Sequence, residues 1–247
     1  MKVGVVGCGY WGPNLLRNFL QIDGVTVVGC ADLRPERRQH IERRHPGVVC
    51  VESHEELLAM PGLDAVVIAT PISTHHAVAK AALLRGKHVM VEKPLAGSSE
   101  HCRELVAIAE QSGLILMVDH TFLFTTGPCK VRRMTVVGTH RMLVYDDVEP
   151  VEKVRIYDKC VYDTRDGLPI HRYYDTFEEF RLAYRHGDVV IPSIPSHEPL
   201  ATVCQEFVEA IRAGKPHQSS GAFGLRVVRI LEKAEASLRQ SGQAMPL

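Results

Sequence analysis

Two hydrophobic periods alternate over the first 118 residues, and this alternation limits the possible folds more than any other feature. Residues 2–6, 25–31, 64–70, 88–92 and 114–118 are short runs rich in Val, Ile and Leu, the pattern of strands buried on both faces of a sheet. Between them, residues 14–20, 35–44, 55–60, 74–85 and 99–111 carry helical spacing. Ser99 is placed to cap the last of these, and Gly86 and Gly113 stand where two helices need a left-handed residue to end. Strand and helix alternating this regularly require right-handed crossovers, which build a doubly wound parallel sheet.

Beyond Thr121 the pattern changes. Residues 131–138, 141–145 and 154–158 read as strands joined by short turns, an antiparallel set, and helices over 199–213 and 223–239 finish the chain. Val203, Phe207, Ala210 and Ile211 keep helical spacing and need an apolar cover. Three prolines between Pro192 and Pro199 predict an extended loop. The expectation is therefore an α/β chain of two domains: a doubly wound parallel sheet over 1–121, then an α+β domain with an antiparallel sheet over 122–247.

Composition removes several classes of function. Lys plus Arg and Asp plus Glu number 29 each, so the chain has no global positive field to hold it on a phosphate backbone, and nucleic acid is not expected as a partner. No run reaches the roughly 18–20 apolar residues of a membrane span, and none is expected. The first residues do not read as a secretion signal, because Gly4 and Gly7 interrupt the apolar run. Seven widely spaced cysteines without a Cys-x-x-Cys pair suggest neither a disulfide framework nor a zinc site, and a reducing cytoplasm fits that usage.

The strongest local signal is Gly7-Cys8-Gly9-Tyr10-Trp11-Gly12, set between the first strand and the first helix, with Asp32 twenty residues beyond Gly12. Gly7 permits a tight turn, Gly9 lets the backbone approach a pyrophosphate, and Gly12 allows close packing of a helix whose N-terminus favours anions. Pro13 suits the first helical turn. Tyr10 and Trp11 ride on the same loop as candidates for cofactor contact. Asp32, at the end of the second strand, can accept hydrogen bonds from ribose hydroxyls and would repel a 2′-phosphate, which favours NAD over NADP. Arg34 keeps NADP open, because an arginine there could stack on adenine or tolerate a phosphate. Arg37 and Arg38 read as a solvated basic helix face.

Two further loops follow strands in the same sense. Thr70-Pro71, with His75 downstream, and Glu92-Lys93-Pro94 both point to the ligand crevice of an open sheet. Lys93, held extended by the following proline, is the candidate acid/base for a substrate hydroxyl. His75 and His76 are adjacent on a helix and do not face one point, which disfavours metal ligation. His120 closes the strand at residues 114–118 as a second catalytic candidate, with a structural role equally open.

Gly7-x-Gly9-x-x-Gly12, Ala69-Thr70-Pro71 with His75, and Val91-Glu92-Lys93-Pro94 together resemble the Gfo/Idh/MocA oxidoreductases, NAD(P)-dependent enzymes acting mainly on sugars and cyclitols. Val118-Asp119-His120-Thr121-Phe122 is similar to the branch that includes UDP-N-acetylglucosamine and UDP-N-acetylglucosaminuronate 3-dehydrogenases. The resemblance implies an N-terminal Rossmann domain, a second domain with an open antiparallel sheet, NAD(P) as cofactor, a sugar or nucleotide-sugar substrate, and homo-oligomers formed through that sheet. It extends to residues 131–138 and 143–147, similar to late strands of the second domain, and to 224–228, similar to its final helix.

The middle departs from the pattern. In the family a segment bearing an Asp and a His completes the active site beside the motif lysine, whereas here only residues 122–129 join the two matching regions. The chain resembles a member with an internal deletion that shortens its second domain. His171 and His197 lie in segments unlike the catalytic one, so the missing role is not carried over to them. Three readings follow: a sugar or nucleotide-sugar dehydrogenase using Lys93 with His120 as helper, a catalytically impaired NAD-binding sensor, scaffold or assembly protein, and a decayed product that folds only in part.

Overall fold

The computed structural model describes residues 1–120, 133–138, 140–146, 149, 152–161, 184–192 and 198–246. Six strands form one parallel sheet: β1 (Lys2–Val6), β2 (Thr26–Ala31), β3 (Val49–Val51), β4 (Ala65–Ile68), β5 (His88–Glu92) and β6 (Leu116–Asp119). Their order is β3-β2-β1-β4-β5-β6. The chain thus winds one way from β1 to β3 and the other way from β4 to β6, and the order reverses between β1 and β4, the switch point at whose strand carboxyl ends open sheets of this kind hold their ligands. The crossover helices are α1 (Gly12–Leu20), α2 (Pro35–Arg44), α3 (His54–Leu58), α4 (Ile72–Leu84) and α5 (Ser99–Gln111).

The apolar runs behave as their lack of alternation requires. Every residue of β4 and β6 is buried, as are the last four of β1 and of β5. Helices cover both faces of the sheet. Strand β3 is absent from the sequence-based assignment, because three residues with two of them half-buried carry no hydrophobic period to detect. Ser98, not Ser99, caps α5: extended Ser98 accepts the His101 N–H at 3.2 Å, while Ser99 lies inside the helix. Cys8, Cys30, Cys50, Cys102 and Cys204 are free thiols, and the sulfurs of Cys30 and Cys50 touch at 3.2 Å across β2 and β3.

The closing helices correct the expected boundary of the second domain. Met1–Thr121 and His197–Leu247 form one compact unit, and Phe122–Ser196 forms the other. Helix α6 (Pro199–Ala213) lies on α1, where Phe207 meets Phe19 edge to face at a centroid distance of 6.3 Å. Helix α7 (Gly221–Arg239) lies on α5 and β6. The apolar stripe read on residues 199–213 is therefore covered by the parallel sheet's own layer; Leu200, Cys204, Phe207, Val208 and Ala210 join the core of Leu15, Leu16 and Phe19. Burying Phe207 and Phe19 together contributes on the order of 4 kcal/mol.

The second unit contains a four-stranded sheet ordered β10-β9-β8-β7, from β7 (Arg133–Val137), β8 (Arg141–Asp146), β9 (Val154–Val161) and β10 (Tyr184–Val190). All three pairings are antiparallel, as the short turns predict for β7-β8 and β8-β9. Arg133 and Asp146 face each other in register and form an ion pair at 2.8 Å. Strand β10 escapes sequence reading because Arg185, His186, Gly187 and Asp188 interrupt its apolar residues, and a register shift falls between His186 and Val189. Residues 122–129, where the apparent deletion joins, lie outside the described residues, as do His171, His197 and residues 193–196 of the proline-rich loop. Among the described residues no helix is long and apolar enough to cross a membrane, and no cluster of three His, Cys, Asp or Glu forms a metal site.

Candidate functional site

The loop after β1 is shaped by what its glycines exclude. Gly7 has φ of +93°, a left-handed conformation, and a Cβ there would stand 2.6 Å from the Ala69 carbonyl oxygen. A Cβ on Gly12 would overlap the Gly7 carbonyl oxygen. The loop is thus folded so tightly that a side chain at either glycine has no room, and its ends are pinned by Gly7 N–H to Ala31 O and Ala69 N–H to Val6 O, both 2.8 Å. Gly9 differs: its nearest neighbour is an Arg37 nitrogen 3.6 Å from a built Cβ, so the space above Gly9 is open on the loop's outer side. No side chain caps α1, and Pro13 occupies its first turn, so the positive helix end faces the crevice without a side-chain acceptor of its own. Tyr10 is 80% exposed and meets Trp11 edge-on at 5.2 Å.

Asp32 follows β2 directly and is 8% exposed. Its Oδ2 accepts the Cys8 N–H at 2.7 Å and its Oδ1 accepts the Arg34 N–H at 2.9 Å. The carboxylate therefore braces the glycine loop from below. With about four acceptor positions on a carboxylate, capacity is left for a hydroxyl. Arg34 enters through its backbone N–H, while Arg37 and Arg38 turn inward: Arg37 Nη1 lies 3.4 Å from Asp32 Oδ2, and Arg38 Nη1 donates to Asp32 O at 2.7 Å. The sequence reading had both on a solvated face. Helix α2 has one buried residue, Ile41, so its pattern carries no mark separating inward from outward arginines.

Across the switch point, Thr70 and Pro71 begin α4, and Thr74 Oγ1 hydrogen-bonds Thr70 Oγ1 at 2.8 Å. His75 is 2% exposed. Its Nε2 lies 2.8 Å from Thr70 O and its Nδ1 2.9 Å from Pro94 O. Each ring nitrogen lies within hydrogen-bonding distance of a backbone carbonyl, and the one N–H of a neutral ring donates to one of them, so His75 sits between the Thr70-Pro71 loop and the Lys93-Pro94 loop. His75→Ala would leave a buried carbonyl without its donor and is expected to lower unfolding stability by about 1–3 kcal/mol, read as a reduced urea midpoint at unchanged slope.

At the end of β5 the side chains diverge. Lys93 is exposed and precedes a cis peptide bond to Pro94. Glu92 is 8% exposed and pairs in register with Asp119 on β6, which is 2% exposed. Burial, the neighbouring Asp119 charge and a hydrogen bond to Asp119 push the Glu92 carboxyl up to about 8, against a smaller opposite pull from Lys93. The Glu92 carboxyl is thus turned to Asp119, while Lys93 is open to solvent. The next residue, His120, is half-buried, and burial holds its imidazole below the usual histidine range, partly offset by Asp119. Asp119 and Arg37 are the site residues that sequence reading missed. Pairing Glu92 with Asp119 across adjacent strand ends was the available signal for the first.

All these groups lie at the carboxyl edge of one parallel sheet. The glycine cradle, the uncapped helix end and the Asp32 carboxylate fit a dinucleotide: Gly7 to Gly12 would hold the pyrophosphate, Asp32 with Arg34 the adenosine side, and Thr70 and Pro71 the neighbouring wall. Residues 1–120 match the profile described as "Oxidoreductase family, NAD-binding Rossmann fold". The chain is 30% identical over 138 residues to a 4-carboxy-2-hydroxymuconate-6-semialdehyde dehydrogenase of Sphingobium, covering 56% of this chain and 44% of the relative. It is 35% identical over 124 residues to a 1-carboxy-3-chloro-3,4-dihydroxycyclohexa-1,5-diene dehydrogenase of Comamonas testosteroni, covering 50% and 31%. The matched stretches span less than half the length of these curated relatives. Among solved structures, UDP-N-acetylglucosamine 3-dehydrogenase from Acidithiobacillus ferrooxidans aligns over 93% of this chain and 95% of its own, at 19% identity and a TM-score of 0.73. A 3-ketoreductase mutant from Actinomadura kijaniata, solved with TDP-benzene and NADP, aligns over 94% and 96% at 16% identity and a TM-score of 0.71. At these identities the structures share the fold.

Proposed function

We propose that this chain, whose residues 1–120 match the profile of the Gfo/Idh/MocA oxidoreductases with their NAD-binding Rossmann fold, is an enzyme that moves a hydride between a hydroxyl-bearing carbon of a sugar or nucleotide sugar and NAD(P). The observation that carries the reading is the convergence of the glycine cradle, Asp32 and the exposed Lys93 at one sheet edge. Bound nicotinamide supplies the hydride acceptor. Lys93 removes the substrate hydroxyl proton as the hydride leaves the same carbon, and returns it in the reverse direction. His120, at the end of the adjacent strand β6, is the second proton-handling group. His75 positions the loop that carries Lys93.

The nucleotide-sugar branch is supported by the resemblance at residues 118–122 and by the fold shared with a UDP-N-acetylglucosamine 3-dehydrogenase and with a 3-ketoreductase solved with TDP-benzene. The same reading assigns the protein to the cytoplasm as a homo-oligomer through the sheet of the second unit, with neither nucleic acid nor membrane as partner. Titration with NADH and NADPH, followed by nucleotide-sugar oxidation, tests it. Lys93→Ala is expected to lower turnover about 10²–10⁴-fold while NADH affinity stays within twofold, roughly the range for loss of one acid/base. Binding without turnover in the unmodified protein would favour the sensor or scaffold reading, for which the missing Asp and His segment is the specific support.

A further inference from the structure

The segment between α6 and α7 returns to the end of β6 and attaches there. The Val118 N–H donates to Ser219 O at 2.9 Å, the His120 N–H donates to Val118 O at 3.0 Å, and Met117 and Ser220 form an antiparallel bridge. Ser219 is thereby fixed beside His120, almost a hundred residues away in sequence. We infer that Ser219 is a positioning residue: it holds His120 in the tautomer protonated at Nδ1 and so leaves Nε2 as the bare, proton-accepting nitrogen.

The assignment follows from counting hydrogens. Ser219 Oγ lies 2.7 Å from Val118 O, a separation at which two oxygens require a hydrogen between them. A carbonyl has none to give, so the single hydroxyl hydrogen of Ser219 points at Val118 O. The same Oγ lies 2.8 Å from His120 Nδ1, and with its hydrogen already committed it can only accept. Nδ1 must then carry the proton. A neutral imidazole has one N–H, so Nε2 carries a lone pair. Burial holds the ring below the usual histidine range, against the opposing Asp119, so that it is neutral at pH 8. Phe223 meets the ring edge to face at 5.2 Å from the other side, which limits its rotation. Nε2 has no hydrogen-bond partner among the described residues.

What the bare nitrogen does rests on the function proposed above: it takes the proton of a substrate hydroxyl, directly or from the Lys93 ammonium, and becomes an imidazolium whose two N–H groups face Ser219 and the crevice. The tautomer itself does not depend on that reading. It is tested on the intact protein, uniformly labelled with nitrogen-15, by long-range proton–nitrogen correlation of the histidine rings at about pH 8, with His120 assigned from the signal lost in His120→Asn. The expected spectrum has Nδ1 in the protonated range and Nε2 in the unprotonated range. Ser219→Ala is expected to shift the tautomer ratio toward Nε2–H by about tenfold, the scale of one lost hydrogen bond, and Ser219→Thr to restore it. A wild-type ring protonated at Nε2, or a ratio indifferent to Ser219→Ala, would overturn the inference. Failure of NADH binding or of turnover would leave this spectrum as it is, so the two proposals fail separately.

Discussion

Gly12→Ala is expected to weaken NADH binding at least about a hundredfold, some 2.7 kcal/mol. The methyl group would overlap the Gly7 carbonyl oxygen, and since Gly7 is itself held against Ala69 by its left-handed backbone, the loop has no free direction in which to yield. The change must push α1 away from β1, which also disturbs the packing of Leu15 and Leu16. For that reason Gly12→Ala should melt early as well as bind poorly. Gly9→Ala separates the two effects. A Cβ at Gly9 meets nothing closer than Arg37 at 3.6 Å, so the fold should keep its melting temperature within about 2 °C, a change of less than 1 kcal/mol for a chain of this size. The space taken is the space a pyrophosphate would approach, and NADH affinity should fall at least about tenfold. Fluorescence titration with NADH beside circular-dichroism melting reads both quantities. An unchanged affinity in Gly9→Ala would remove the pyrophosphate from this loop.

The second large effect is in the pH dependence of stability. Glu92 keeps its proton in the folded chain to about pH 8, whereas its ordinary value is 4.5. Because the folded value is the raised one, the unfolded chain ionises first as pH climbs, and folding loses stability between about pH 4.5 and 8 before levelling off. At about 1.4 kcal/mol per pH unit across that window, the loss amounts to roughly 3–5 kcal/mol. Glu92→Gln has no proton to lose and keeps the shape and one donor toward Asp119. Relative to wild type it should therefore gain about 3–5 kcal/mol between pH 5 and pH 8 in urea unfolding. Parallel stability curves for the two proteins would mean that Glu92 is ionised in the fold.

Most of the parallel sheet was legible because its strands are buried on both faces and its helices are not. The contrast between unbroken apolar runs such as Ala65–Ile68 and mixed segments such as Pro35–Arg44 is large. Legibility failed where a segment's partner lies far along the chain. Nothing in residues 199–213 says whether their stripe meets the antiparallel sheet or α1; Phe207 is complementary to Phe19 only once the chain has returned. The site shows the same division. The glycines and Asp32 act within a single strand-turn-helix unit, and their spacing is a local signal. His75, Glu92 and Asp119 act across neighbouring elements: His75 sits between Thr70 O and Pro94 O on two loops, and Glu92 meets Asp119 only through strand register. For Ser219 no sequence signal existed, since its partner His120 is set by the bridge at Met117 and Ser220.

The return of α6 and α7 also makes the first unit an open ring of chain, closed by its final segment after Phe122–Ser196 has gone out and come back. Tying the two ends of a loop of chain together costs entropy only as the logarithm of its length, about 0.6 kcal/mol for each doubling. The parallel-sheet unit is therefore nearly indifferent to how many residues lie in the excursion, so evolution can lengthen or trim that part while the dinucleotide half keeps its stability. During synthesis the cost falls elsewhere: until residues 199–239 leave the ribosome, the faces of α1 and β6 that they cover stay bare, and a nascent chain stalled before that point is a natural client for a chaperone.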